Sequence, residues 1–150
     1  MAHLKMNENT PLEFGLYSLG DHLLNPHNGE KVSYEQRINE LIEASQLAEQ
    51  AGIDVFGVGE SHQEHFTTQA HTVVLGAIAQ ATKTIKISSS SSIISAADPV
   101  RVFEDFATLD LISHGRAEIV AGRASRTGIF DLFGLDLNNY DELYEEKLNL

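Results

Sequence analysis

The sequence contains no cysteine among its 150 residues. Disulfide bridges and thiolate zinc sites are therefore excluded, and a reducing compartment is permitted. Basic residues are scarce as well, because 10 lysines and arginines stand against 22 acidic residues, which gives a formal net charge of −12. Nucleic acids and anionic membranes bind clusters of basic side chains, so we expect neither of them as a partner.

Long apolar segments are also missing from the chain. No stretch approaches the roughly 20 consecutive apolar residues of a membrane-spanning helix. The first ten residues, MAHLKMNENT, lack the apolar segment of a secretory signal, so we expect a cytoplasmic protein. Hydrophobic residues make up 42% of the chain and charged residues 21%, which is the balance of a globular domain with a core.

Short apolar runs alternate with segments of helical periodicity. The runs that we interpret as strands lie at 12–17, 53–58, 85–94 and 116–122. The helices are expected to begin at the capping residue Ser33, near Ala70, at Asp98-Pro99 and in the tail from 138 onward. Four strand–helix repeats predict an α/β fold with a parallel sheet, either an open doubly wound sheet or a (β/α)8 barrel.

The length of the chain bears on the choice of architecture. A complete barrel needs about 250 residues, so this chain would supply about the first four βα units. The last predicted helix ends on Leu148-Asn149-Leu150 without the glycine or proline of a stop signal. We therefore expect the N-terminal part of a longer protein.

The stretch KISSSSSIIS, at 86–95, can be a flexible linker or a strand. Apolar residues flank the serines and a helix cap follows closely, which favours the strand. Serine is a poor strand former, but its small side chain lets a ligand come close and its hydroxyl can bind that ligand. We predict that the serine run, Ser88–Ser92, forms the floor of a pocket, the alternative being tight barrel packing without a ligand.

The sequence GESH follows the second predicted strand and contains Glu60 and His62. A carboxylate and an imidazole at a strand end can form an acid/base pair or position a polar ring, although solvated loop residues would give the same pattern. His65 and His71 add spacings that metal sites use, but no convincing further ligands accompany them. We therefore expect no metal site.

The sequence AGRASRTG, at 121–128, follows the fourth predicted strand. Its glycines, arginines and hydroxyls have the composition of an anion site, in which guanidinium groups bind phosphate, and a solvated turn is the alternative. In the preceding helix, Arg101 and Asp105 are spaced for a helical ion pair.

Together these segments resemble the bacterial luciferase-like family of flavin-dependent monooxygenases. The resemblance runs from about Phe14 to Tyr140 and is carried by GESH, by DPVRVFEDFATLDLISHGRAEI at 98–119 and by the AGR that follows. It implies a (β/α)8 TIM-barrel fold, of which residues 1–150 would form the N-terminal half without a second domain. It also implies a homodimer.

The resemblance further implies a cofactor and a reaction. The family binds reduced FMN, or the deazaflavin F420 in one branch, at the C-terminal mouth of the barrel. With FMN and O2 it oxidises an aldehyde or another small organic substrate, and a flavin reductase can supply the reduced flavin. An F420-dependent oxidoreductase without O2 chemistry is therefore an alternative function.

Site residues also follow from the resemblance. Glu60 and His62 match the catalytic site after the second strand. A cis peptide under the flavin ring would lie between Ser90 and Ser91. The implied flavin-binding residues, which form the ring platform and the phosphate site, are Ser89, Ser90, Ser91, Gly122, Arg123 and Ser125.

Two positions depart from the light-emitting members of the family. Ser61 stands where luciferases have a catalytic histidine, and Gly122 stands where they have a reactive cysteine. Both departures argue against light emission. They also keep open a third function, a flavin-binding or assembly subunit without turnover.

Overall fold

A computed structural model describes residues 11–150 of the chain. The interpretation of the first ten residues lies outside this range. Within it, short strands alternate with helices as predicted. The elements are β1 (Gly15–Ser18), α1 (Tyr34–Gln50), β2 (Val55–Val58), α2 (His71–Ala81), β3 (Lys86–Ser88), β4 (Ser92–Ile93), α3 (Pro99–Ser113), β5 (Ala117–Glu118), β6 (Ala121–Gly122), α4 (Gly128–Phe133) and α5 (Tyr140–Asn149).

The strands form a parallel sheet in the order β1-β2-β3-β5, and β4 pairs with β6 beside it. The predicted parallel arrangement is confirmed by all four strand pairings, for example Ile87 with Ala117 and Ser92 with Ala121. Helices between the strands are the crossovers that parallel pairing requires.

The prediction of one continuous strand over 85–94 is wrong, because the strand is interrupted between β3 and β4. Ser90 lies in the left-handed region with φ 22°, which an extended strand does not allow. Across the gap, the Ser89 hydroxyl accepts a hydrogen bond from the Val120 N–H at 2.9 Å. The fourth predicted strand is divided in the same way, into β5 and β6.

The predicted helix starts are confirmed at both capping sites. The Ser33 hydroxyl accepts the Gln36 N–H at 3.0 Å, and the Asp98 carboxylate accepts the Val100 N–H at 2.9 Å. Helix α3 ends where the sequence indicated, with His114 in the left-handed region. The two helices thus begin and end on local signals that the sequence carries.

The expected ion pair between Arg101 and Asp105 is wrong. Arg101 pairs with Glu104 at 2.8 Å, and the Asp105 carboxylate accepts a hydrogen bond from the Thr72 hydroxyl at 3.2 Å. The second contact joins α3 to α2, so Asp105 bonds a residue of another helix and not Arg101 of its own helix. Helix α4 was not predicted either.

The main core lies between the sheet and the helices α1, α2 and α3. Its most buried apolar side chains are Leu41, Val58, Leu75, Ile78, Ile87 and Leu109. A second, smaller cluster, Ala124, Ile129 and Phe130, packs beneath α5. The partly buried Ile93, which follows the serine run, packs against the second cluster.

Charged side chains close the amino edge of the sheet. The Glu49 carboxylate accepts the backbone N–H groups of Lys83, Thr84 and Ile85 at 2.6–3.0 Å. Burial raises the pKa of Glu49, but these hydrogen bonds outweigh it and lower the pKa to about 2. No helix within residues 11–150 combines the length and the apolar character needed to cross a bilayer.

Candidate active site

A cavity of about 420 Å³ lies at the carboxyl ends of the strands. Its walls come from the loop after β2, from the serine run, from the loop after β6 and from α4. The polar lining residues are Glu60, Ser61, His62, Gln63, Ser90, Ser91, Arg123, Ser125 and Arg126. Ile93, Ile129 and Leu132 add an apolar surface.

The cavity brings together most of the residues that the sequence singled out. Glu60, His62, Ser90, Ser91, Arg123 and Ser125 all line it, although they come from three separate parts of the chain. Ser89 and Gly122 do not line it. Ser89 is fully buried, and its hydroxyl bonds Val120 within the sheet.

Glu60 is the centre of a hydrogen-bond network at the cavity wall. One carboxylate oxygen, Oε1, lies 2.7 Å from His62 Nε2. The other, Oε2, accepts the Ile93 N–H at 2.7 Å. The Glu60 N–H in turn donates to the Ser91 carbonyl at 3.1 Å. The loop that carries the acid and the imidazole is therefore fixed to the serine run, and His62 faces the cavity with its Nε2 held.

His71 extends this network away from the cavity. It is buried at the start of α2, its Nε2 lies 2.7 Å from the Ser92 hydroxyl, and its Nδ1 lies 3.8 Å from Glu60 Oε2. Burial lowers the pKa of His71, although the Glu60 and Asp105 carboxylates oppose this shift. Sequence reasoning weighed His71 only as a metal ligand and missed its contact with Ser92, which no sequence signal indicated.

The serine run is packed against glycines of the neighbouring strands. A Cβ atom added to Gly57 would lie 1.9 Å from Ser90 Oγ, and one added to Gly122 would lie 2.2 Å from Ser91 Oγ. Gly122 therefore makes room for a lining residue although it does not line the cavity itself. The two serines fill the space that larger side chains on both sides would need.

The expectation of a cis peptide bond between Ser90 and Ser91 is wrong, because residues 11–150 contain no cis peptide bond. The chain turns here through the positive φ of Ser90 instead. A non-glycine residue in this region costs about 1–3 kcal/mol, and such strain concentrates at functional sites. Ser90 and Ser91 nevertheless line the cavity, whereas Ser88, Ser89 and Ser92 of the predicted floor do not.

Two guanidinium groups, those of Arg123 and Arg126, line the same cavity as Glu60. Arg123 forms an ion pair with Asp141 of α5, and its guanidinium carbon lies 4.5 Å from the centre of the Tyr144 ring. Both partners come from the last helix, which the sequence predicted only as a helix and not as part of the site.

The residues present fit a flavin nucleotide. The volume falls in the range of about 300–1,000 Å³ that is usual for small-molecule and cofactor sites. Guanidinium groups bind phosphate in a bidentate manner. The small serines and the apolar surface beside them suit a flat ring, and Glu60 with His62 supplies an acid/base pair at the same wall.

Comparison with known sequences gives a family. The profile described as "Luciferase-like monooxygenase" matches residues 13–150. The alkanal monooxygenase alpha chain of Photorhabdus laumondii is 28% identical over 116 residues, which cover 77% of this chain and 32% of that protein. The chain thus spans about a third of the length of the curated relatives that it matches.

Solved structures show the same architecture. The oxygenating constituent of 3,6-diketocamphane monooxygenase from Pseudomonas putida, in complex with FMN, has a TM-score of 0.79 at 19% identity over 93% of this chain and 38% of its own. The F420-dependent tetrahydromethanopterin reductase of Methanopyrus kandleri has a TM-score of 0.61 at 26% identity over 85% of this chain and 31% of its own. The predicted α/β fold of TIM-barrel type is confirmed by these partial matches.

Proposed function

Because the chain belongs to the luciferase-like monooxygenase family, we propose that it holds reduced FMN in the cavity and oxidises a small organic substrate such as an aldehyde. Reduced FMN would supply the two electrons that activate O2. The net reaction converts an aldehyde, O2 and reduced flavin into a carboxylic acid, water and oxidised flavin. The observation that carries the proposal is the convergence of the serine run, the two arginines and the Glu60–His62 pair on one cavity.

The flavin ring would rest on Ser90 and Ser91, with its phosphate at Arg123 and Ser125. Small side chains allow the ring to approach the main chain closely. Because Gly57 has no side chain, the Ser90 hydroxyl can pack against the neighbouring strand. The apolar residues Ile93 and Ile129 would cover the ring and limit the access of water.

Glu60 and His62 would act on protons at the substrate. Glu60 Oε1 fixes His62 Nε2, and the backbone N–H of Ile93 fixes the other oxygen of Glu60. A carboxylate that is held in this way keeps the imidazole in one orientation, so that the ring can take or give a proton at a defined place. Ser61 lines the cavity beside them and can donate a hydrogen bond.

The whole protein's assembly is part of the same proposal. The chain would form the N-terminal half of a (β/α)8 barrel, residues 1–150, and the barrel would work as a cytoplasmic homodimer. A flavin reductase would supply reduced FMN. The match of this chain to 32% of the alkanal monooxygenase alpha chain fits a partial barrel.

A single-turnover experiment tests the proposed reaction. Photoreduced FMN bound to the protein is mixed with O2 and decanal, and decanoic acid and hydrogen peroxide are quantified. We expect about one acid per bound flavin and little peroxide. Arg123→Gln, which removes a guanidinium from the cavity wall, should lower the acid formed at limiting FMN. Peroxide without acid, at full flavin occupancy, would exclude the monooxygenase.

That excluding outcome would identify the second candidate, a flavin-binding subunit without turnover. Ser61 and Gly122 favour it, since they replace the histidine and the cysteine of light-emitting relatives. The F420-dependent alternative rests on the likeness to the Methanopyrus kandleri reductase. Parallel titrations with reduced FMN and with reduced F420 separate these cofactors, and we expect the protein to prefer FMN.

A further inference from the structure

Three side chains of helix α5 contact the Arg123 guanidinium, which also lines the cavity. Asp141 forms an ion pair with Arg123 Nη1, and the guanidinium carbon lies 4.5 Å from the Tyr144 ring centre and 5.8 Å from that of Tyr140. The three side chains occupy positions i, i+1 and i+4, so they form one continuous face of the helix.

The same helix is fixed to the chain on both sides of Arg123. The Tyr140 hydroxyl donates to the Ala124 carbonyl at 2.9 Å, and the Tyr144 hydroxyl donates to the Ala121 carbonyl at 3.3 Å. These carbonyls lie on either side of Arg123 along the chain. The aromatic rings therefore stand at a set distance from the base of the arginine side chain, and the guanidinium is held over them.

Donors of Arg123 remain for a ligand. A guanidinium carries five N–H donors. Among residues 11–150, the hydrogen bond to Asp141 uses Nη1, and Nε and Nη2 make no hydrogen bond. A phosphate that approached from the cavity would therefore find two donors in the fork geometry that it prefers. Asp141 is 76% exposed, so water screens its repulsion of a phosphate.

We propose that Tyr144 and Asp141 are positioning residues for the phosphate of the cofactor, acting through Arg123. The inference rests on the proposed function, because it needs a phosphorylated ligand in the cavity. Arg123 is 40% exposed, and a free arginine side chain at such a site would sample many rotamers. Stacking on Tyr144 and pairing with Asp141 restrict it before the ligand arrives, which lowers the cost of binding.

The test compares oxidised FMN with riboflavin, which lacks the phosphate, by quenching of flavin fluorescence in the intact protein. Wild type should bind FMN more tightly than riboflavin. Tyr144→Leu should weaken FMN binding roughly 3–10-fold and leave riboflavin unchanged, because a cation–π contact is lost. Tyr144→Phe keeps the ring over which the guanidinium lies, so it should restore FMN binding to near the wild-type level.

Asp141 is tested in the same assay. Asp141→Asn should weaken FMN binding by about 2–5-fold, since an ion pair that is mostly exposed contributes little. Neither substitution should weaken FMN binding further in an Arg123→Gln background, because both act through that side chain. Circular dichroism monitors the folding of each variant.

Each outcome decides the inference. The inference is supported if Tyr144→Leu and Asp141→Asn weaken the binding of FMN but not of riboflavin, and if neither has this effect in the Arg123→Gln background. Equal loss of both ligands would assign Tyr144 a structural role only and overturn it. Tighter FMN binding by Asp141→Asn would overturn the role of Asp141, because the carboxylate would then compete with the phosphate. If wild type binds neither flavin, the proposed function itself fails, and the inference fails with it.

Discussion

The two edges of the parallel sheet use their charged side chains in opposite ways. At the amino edge, Glu49 directs its carboxylate to three backbone N–H groups of its own chain. At the carboxyl edge, Glu60 shares its oxygens between one backbone N–H and His62, which faces a cavity. The Glu49 carboxylate is occupied by backbone hydrogen bonds, whereas the Glu60 carboxylate orients an imidazole that can act on a ligand.

The arginines differ in the same way. Arg116 precedes β5 and donates to the carbonyls of Ser113, Ile85 and Ala79 at 2.7–2.8 Å. Arg123 follows β6 and, among residues 11–150, retains donors without a hydrogen bond beside the cavity. In a barrel, the amino edge serves stability and the carboxyl edge serves chemistry. The comparison therefore predicts that substitutions at the amino edge change stability and that those at the carboxyl edge change ligand binding.

The largest effect on stability is expected at Arg116. Arg116→Met keeps the length of the side chain but leaves several partly buried carbonyls without a donor, so we expect the free energy of unfolding to fall by about 2–4 kcal/mol. Urea denaturation measures this loss. Arg101→Met is the matched control: Arg101 is exposed and, within the described part of the chain, pairs only with Glu104 of its own helix, so its loss should be within about 0.5 kcal/mol.

The role of the carboxyl edge in ligand binding is tested by adding a methyl group at Gly57. Gly57→Ala would place a Cβ atom 1.9 Å from Ser90 Oγ, so Ser90 must shift into the cavity. We expect FMN binding to weaken about 10-fold, which corresponds to about 1.4 kcal/mol. Gly76→Ala in α2 meets no atom within 4 Å and should leave binding unchanged. Unchanged binding in Gly57→Ala would show that the position of Ser90 is irrelevant to the flavin.

The lowered pKa of Glu49 predicts how the stability of the protein depends on pH. The pKa of Glu49 is lowered to about 2 from an ordinary value of 4.5, so its contribution to stability is full above pH 4.5 and disappears as the pH falls towards 2. Glu49→Gln should therefore be less stable than wild type at pH 7, by about 1 kcal/mol after allowance for solvent screening. The difference should vanish near pH 2. A constant difference at every pH would contradict the assignment.

Much of the fold could be predicted from local signals. Ser33 and Asp98 are capping residues, and the apolar runs have the length of buried strands, so the order of strands and helices follows from the sequence. The interruption at Ser90 could not be predicted, because it depends on Gly57 and Gly122 of the neighbouring strands. The pairing of Asp105 with Thr72 depends likewise on the packing of two helices.

The candidate site was predictable where strand ends carry unusual residue types. Glu60, His62 and Arg123 follow predicted strands and the serine run lies within one, and parallel strands bring their carboxyl ends to one edge. His71, Tyr144 and Asp141 were missed as site residues because each lies on a helix whose rotation only tertiary contacts fix. Ser89 has the same residue type as Ser90 and Ser91, yet its hydroxyl faces Val120, a difference that composition does not reveal.

The most direct measurement is a structure of the protein with FMN bound. We predict that the flavin ring lies against the main chain at Ser90 and Ser91, with phosphate oxygens within hydrogen-bond distance of Arg123. A ring bound elsewhere, for example in the second cavity of about 390 Å³ beside His71, with the serines still packed against their glycines and Arg123 free of phosphate, would contradict the account.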